Sequence, residues 1–198
     1  SPGLLMAAFL ELRYYNSPQN GTPIGLAGRT VVELGSGCGV TGLVAALLGA
    51  SVTFTDLECV VPHLQCNVWP NLRRLGLPED PHRVLAHEWG SDVCNLPGSP
   101  DLLLLADVFY DPPAMPALFS SVAALCGPQT VTYVAQQYRN NGALTDFFRS
   151  ARAHGFRIQA VKEELLHTCN TRLATHIQQS DEEGLWVLTQ ADTPELRD

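Results

Sequence analysis

The stretch VVELGSGCGVTG, Val31 to Gly42, constrains the fold more than any other part of this chain. Two β-branched apolar residues open it as a buried strand would. A glutamate follows, then glycines at alternate positions, Gly35, Gly37 and Gly39, with a fourth at Gly42. Glycine permits positive φ and lets a ligand approach the backbone closely. Strand, tight loop and helix in that order make a nucleotide-binding turn, and such a turn belongs to an α/β sheet.

The remaining pattern agrees. Helical periodicity covers 4–13, then a polar Gly/Pro loop runs over 16–28. Strands are predicted at 30–34, 51–56 (SVTFTD), 83–89 (RVLAHEW), 101–107 (DLLLLAD), 130–136 (TVTYVAQ), 156–161 and 185–190 (LWVLTQ). Helices are predicted at 40–48, 58–75, 113–125 and 141–153, the last ending at Gly155 as a C-cap. The unbroken apolar run of DLLLLAD indicates burial on both faces. The expected fold is α/β: a seven-strand, doubly wound, mostly parallel sheet. The polar stretch 164–184 shows no obvious helix, so the last two strands are expected to form an antiparallel hairpin. One domain is expected over 1–198: an N-terminal helix and loop, 1–28, a core, 29–190, and a tail, 191–198.

Composition narrows the function. The formal net charge of −8 argues against nucleic acid as the main partner and suits a basic protein segment better. No apolar run reaches membrane-spanning length, so no membrane association is expected. Six cysteines without CxxC spacing read as reduced thiols of a cytoplasmic protein, with the nucleus as the alternative, and not as a disulfide or zinc framework. No metal site is expected, His63, His154, His167 and His176 having no ligand spacing. The start, SPGLL, lacks a basic n-region and an initiator Met and reads as a trimmed beginning.

Two cofactor classes use a glycine turn with an acid after the next strand. GCGVTG fits G-x-G-x-x-G, the dinucleotide pattern, and Asp56 lies at the end of strand two, where a carboxylate can accept hydrogen bonds from both ribose hydroxyls. Against NAD stand Glu33 at a strand position that is usually apolar, the lack of room for a substrate domain and the terminal hairpin. All three suit S-adenosylmethionine.

The motif E-x-G-x-G resembles motif I of the class I seven-strand methyltransferases. With HEWG, 87–90, and ADVFYDP, 106–112, the chain closely resembles the family-16 methyltransferases, the methyltransferase-like 21 group, over roughly residues 4–190. That group includes enzymes that methylate lysines of valosin-containing protein, of heat-shock chaperones and of elongation factor 1A. The resemblance implies a protein-lysine methyltransferase with S-adenosylmethionine as cofactor and a protein as substrate. It implies cofactor contacts at Glu33, Gly35, Ser36, Gly37, Asp56, Leu57, Trp89 and Ala106. Trp89 would line the adenine pocket, and Asp107 and Tyr110, the D-x-x-Y pair, would sit beside the transferable methyl. A tryptophan usually precedes the first helix in this family. Here its place falls just upstream of Ser1, so the cofactor lid is expected to be incomplete.

Methyl transfer needs a nucleophile about 3–3.5 Å from the methyl carbon, opposite sulfur. A free lysine, with a pKa near 10.4, must first lose a proton. Asp107 is the residue to orient the ammonium and accept that proton, and Tyr110 and Phe109 offer ring faces to a cation. Tyr138 and Arg139 are candidate substrate contacts. Arginine, histidine or a small molecule as acceptor, and a non-catalytic binding protein, are the alternatives. A monomer is the expected state.

Overall fold

The computed structural model describes residues 1–15, 25–137, 141–174 and 183–190. The strands are β1 (Thr30–Leu34), β2 (Ser51–Asp56), β3 (Arg83–Ala86), β4 (Leu102–Ala106), β5 (Val131–Gln137), β6 (Phe156–Ala160) and β7 (Glu183–Gln190). They form one sheet in the order β3-β2-β1-β4-β5-β7-β6. The first five are parallel to one another, and β7 is antiparallel to both β5 and β6. The chain reverses its direction of travel across the sheet between β1 and β4, so the carboxyl ends of those two strands open a crevice.

Alternation along the strands decides which helix covers which face. Val31, Leu102, Leu104, Val131, Tyr133 and Leu185 point into one apolar layer, under α1 (Pro2–Tyr14), α2 (Val40–Leu47), α3 (Val61–Arg74) and α6 (Glu163–Ala174). Val32, Leu34, Leu103, Leu105, Val134 and Leu188 point into the other, under α4 (Met115–Leu125) and α5 (Asn141–Ala153). The apolar run of β4 is therefore explained by burial on both faces, as its sequence implied.

Three expectations need correction. The third strand ends at Ala86 rather than at residue 89; after one more bond, from the His87 N–H to the Asp56 carbonyl, the chain turns at Glu88–Ser91, with Gly90 at φ +84°. The fourth helix begins at Met115, after a short 3₁₀ turn, Pro112–Ala114. The stretch between β6 and β7 contains α6 (Glu163–Ala174), so the two strands pair antiparallel without being a tight hairpin, and β7 inserts between β5 and β6. Leu165, Leu166 and Cys169 pack that helix on the core, and Glu163 and Glu164 suit its positive N-terminal end. Residues 16–24 of the loop predicted over 16–28, most of the SDEEG turn and the tail lie outside the described residues.

Gly42 sets how closely α2 can lie on the sheet. A Cβ there would overlap the Phe54 ring and come within 2.8 Å of Glu33 Oε2, and Phe54 is fully buried. Gly42→Ala gains about 1 kcal/mol of helix propensity. Overpacking against an enclosed ring typically costs about 1–3 kcal/mol. The variant is expected to be less stable by up to about 2 kcal/mol in urea unfolding, and a more stable variant would show that α2 can back away from β2.

Candidate active site

Beyond the ends of β1, β2 and β4 lies a cavity of about 680 Å³. Its floor is the glycine turn after β1. Gly35, Gly37 and Gly39 have φ of +69°, +54° and +77°, which L side chains adopt at a cost. Gly35 lies under Trp89 and Val108, where a Cβ would come within 3.3 and 3.0 Å of them, whereas nothing stands within 4 Å of a Cβ position at Gly37. The turn is thus closed beneath the tryptophan and open at Gly37, as a cradle for a ligand must be.

Asp56 ties the turn to the end of β2. Its Oδ2 accepts the Gly37 N–H at 2.7 Å, and its Oδ1 accepts the Leu57 N–H at 2.8 Å. A carboxylate oxygen has a second acceptor site, so Asp56 can hold the turn and still accept hydroxyl groups from the cavity. Ser36 locks the other side: its N–H donates to the Thr55 carbonyl, and its Oγ accepts the Thr55 N–H at 3.1 Å.

Glu33 is 2% exposed, and its Oε2 accepts the Gly42 N–H at 3.2 Å. Burial raises its carboxyl pKa from 4.5 to about 7, against the lowering effect of bonds from Ser36, Gly42 and Thr41. Between those two values the folded chain holds a proton that the unfolded chain has released. Stability therefore falls as pH rises from 4.5 to about 7 and levels off above, a loss on the order of 3 kcal/mol. Glu33→Gln, which keeps an acceptor for Gly42, is expected to remove that slope and raise Tm at pH 8. A wild-type slope in the variant would place the proton elsewhere.

Trp89 reaches the cavity because the turn after β3 is latched to α4. His87 is 4% exposed; its Nε2 lies 2.9 Å from Ser121 Oγ, which also accepts the Gly90 N–H at 2.8 Å. Ser91 Oγ donates to the Glu88 carbonyl at 2.6 Å and lies 3.3 Å from His87 Nδ1. The donors balance when His87 is neutral with its proton on Nδ1, and burial lowers its pKa to the same effect. His87 is thus a strand-end residue that supports Trp89, and its role is visible only through Ser121, 34 residues away.

The third wall is the loop after β4. Asp107 has φ +60°, its N–H donates to the Ala135 carbonyl, and its Oδ1 accepts a 3.2 Å bond from Gln136 Nε2. Tyr110, 67% exposed, stands at the lip with its ring 6.3 Å from that of Trp89. Partial burial, helped by Asp56 and Asp111, raises its phenol pKa, so it is protonated at neutral pH. Phe109 is fully buried against Phe147 and offers no face to a substrate.

The ten residues expected to bind the cofactor or carry the chemistry, Glu33, Gly35, Ser36, Gly37, Asp56, Leu57, Trp89, Ala106, Asp107 and Tyr110, all line this one cavity. Tyr138 and Arg139 lie outside the described residues. Sequence reading missed the contribution of α1, whose Gly3 and Leu4 close one side, and those of Val40 and Val60. The lining includes Glu33, Asp56, Glu88, Asp107 and Asp111 but no lysine or arginine, so it favours a cationic occupant.

The fold matches solved methyltransferases. A TehB-like S-adenosylmethionine-dependent methyltransferase from Corynebacterium glutamicum superposes with a TM-score of 0.61 over 94% of this chain and 87% of that one, at 16% identity. The RsmC rRNA methyltransferase of Thermus thermophilus, in complex with AdoMet and guanosine, gives 0.57 over 96% and 43%, at 18% identity. Sequence narrows the class: residues 3–154 match the model of the lysine methyltransferase family, family 16. The chain belongs to that family, and its cofactor is S-adenosylmethionine. EEF1A lysine methyltransferase 3 of Mus musculus is 35% identical over 169 residues, 85% of this chain and 70% of that protein. The protein N-lysine methyltransferase METTL21A of Mus musculus is 38% identical over 115 residues, 58% and 52%. This chain thus spans between about half and 70% of the length of these relatives.

Proposed function

We propose that this chain is the catalytic domain of a protein-lysine methyltransferase of the cytoplasm or nucleus, acting on a lysine of a translation elongation factor or a comparable protein partner. The observation that carries the reading is the convergence of Asp56, Trp89 and Asp107 on one cavity whose charged side chains are all acidic. The substrate class is supported by the relatives, one of which is named for the elongation factor.

The residues fit the cofactor. The glycine turn is open at Gly37, Asp56 has acceptor sites in hand for a ribose, Trp89 offers an aromatic wall to an adenine, and the carboxylates suit a sulfonium and an ammonium group. S-Adenosylmethionine supplies an electrophilic methyl group carried on a positively charged sulfur. Asp107 orients the incoming lysine ammonium and takes its proton, directly or through water, so that the neutral amine can attack. Tyr110, exposed at the lip, holds the cationic side chain against its ring face on the way in. Glu33, Gly35, Ser36, Leu57 and Ala106 complete the cofactor bed.

The reading is tested with tritiated S-adenosylmethionine and a eukaryotic cell lysate, followed by acid hydrolysis of the labelled protein and separation of methylated amino acids. Label in methyllysine is expected. Label confined to methylarginine or methylhistidine would overturn the choice of acceptor.

A further inference from the structure

The loop that carries Asp107 is held by a side chain with no part in the reading above. Gln136, on β5, is 3% exposed, and its carboxamide uses both ends. Its Nε2 donates to Asp107 Oδ1 at 3.2 Å and to the Gln137 carbonyl at 3.1 Å, while its Oε1 accepts the Phe109 N–H at 3.2 Å. The opposite residue on β7 is Gly184, which has no side chain to compete for this space. The first of the two anchored residues, Asp107, has φ +60°, a conformation that a non-glycine residue keeps only when its surroundings hold it.

We propose that Gln136 is a positioning residue for methyl transfer: its carboxamide clamps the Asp107–Phe109 turn and fixes the plane of the Asp107 carboxylate at the cavity wall. This rests on the reading of Asp107 as the group that orients the acceptor amine. The two ends of the amide act differently. The Oε1 bond holds backbone, which any acceptor could do. The Nε2 bond holds the carboxylate itself, and only a donor can do that.

Two variants separate these roles. Gln136→Met fills the space and removes both bonds. Gln136→Glu keeps an acceptor for Phe109 but replaces the donor by a group that can donate to Asp107 only while protonated. The acidic group that the new carboxyl would face is Asp107, whose Oδ1 lies 3.2 Å from Gln136 Nε2. A carboxylate at that distance favours the protonated form of the new carboxyl. At low pH that proton bridges the two carboxyls; as pH rises it is lost, and like charges face each other.

The measurement is methyllysine formation in lysate protein from pH 6 to 9, per mole of chain competent to bind S-adenosylhomocysteine by calorimetry, with Asp107→Asn alongside. Normalising to competent chain removes any effect of partial unfolding. Both Gln136 variants are expected to bind S-adenosylhomocysteine within a few fold of wild type. Gln136→Met should turn over about tenfold more slowly or worse, by a factor that does not change with pH. The ratio of Gln136→Glu to wild type should fall steadily as pH rises. A Gln136→Glu rate equal to wild type across the range, with only Gln136→Met slowed, would reduce Gln136 to a backbone prop and overturn the proposal. Loss of S-adenosylhomocysteine binding in both variants would also overturn it. A wild-type rate in Asp107→Asn would instead overturn the reading of Asp107 on which the proposal stands.

Discussion

Replacing Asp107 by Asn is expected to slow methyl transfer at neutral pH by about 10²-fold or more, while S-adenosylmethionine binds within a few fold of wild type. Asn is the informative choice for two reasons. It tolerates the left-handed backbone that Asp107 adopts at φ +60°, so the turn is kept. Its carbonyl oxygen can still accept the bond from Gln136 Nε2, so the clamp is kept as well. What disappears is the negative charge that orients an ammonium and the capacity to take its proton. Raising the pH should recover part of the rate, because solvent then supplies more neutral amine. A wild-type rate at neutral pH would remove Asp107 from the chemistry, and a loss of cofactor binding would make it a cofactor ligand.

The second large effect is expected at Asp56, on binding rather than on turnover. Its carboxylate accepts the Gly37 N–H at 2.7 Å and the Leu57 N–H at 2.8 Å and faces the cavity. Asp56→Ala removes the acceptor that holds the glycine turn, together with the sites offered to the ribose. Hydrogen bonds to a charged group contribute about 1.5–3 kcal/mol each. S-Adenosylmethionine affinity should therefore fall more than tenfold by calorimetry in a chain that still folds. Asp56→Asn, which keeps one acceptor oxygen, should lose less. Unchanged affinity in folded Asp56→Ala would place the ribose elsewhere.

The contrast between these residues and Gln136 shows what the sequence made legible. Glu33, the glycines and Asp56 are close along the chain, and each follows or ends a strand with a plain apolar pattern; their meeting follows from a parallel sheet. Trp89, Asp107 and Tyr110 lie just beyond strands of the same sheet edge and were found with the help of the family resemblance. Gln136 and Ser121 could not be found in this way. Gln136 reads as an ordinary polar residue near the end of a strand, and Ser121 as a polar residue in an apolar helix. Their partners lie 29 and 34 residues away and are chosen by side-chain geometry. The left-handed turn at Asp107 was equally hidden, since aspartate is not a residue that announces positive φ as glycine does. Helix α6 escaped because only Leu165, Leu166 and Cys169 mark its buried side, a stripe too short to stand out in a polar stretch.

The claim on which the account turns is that this cavity holds the methyl donor with its sulfur end toward Asp107. It is tested most directly by a crystal structure of the chain with S-adenosylhomocysteine. Ribose hydroxyls are expected within hydrogen-bond distance of Asp56, the adenine against Trp89 and the sulfur beside Asp107 and Tyr110. Ligand bound away from the glycine turn, or bound there with its sulfur turned from Asp107, would contradict it.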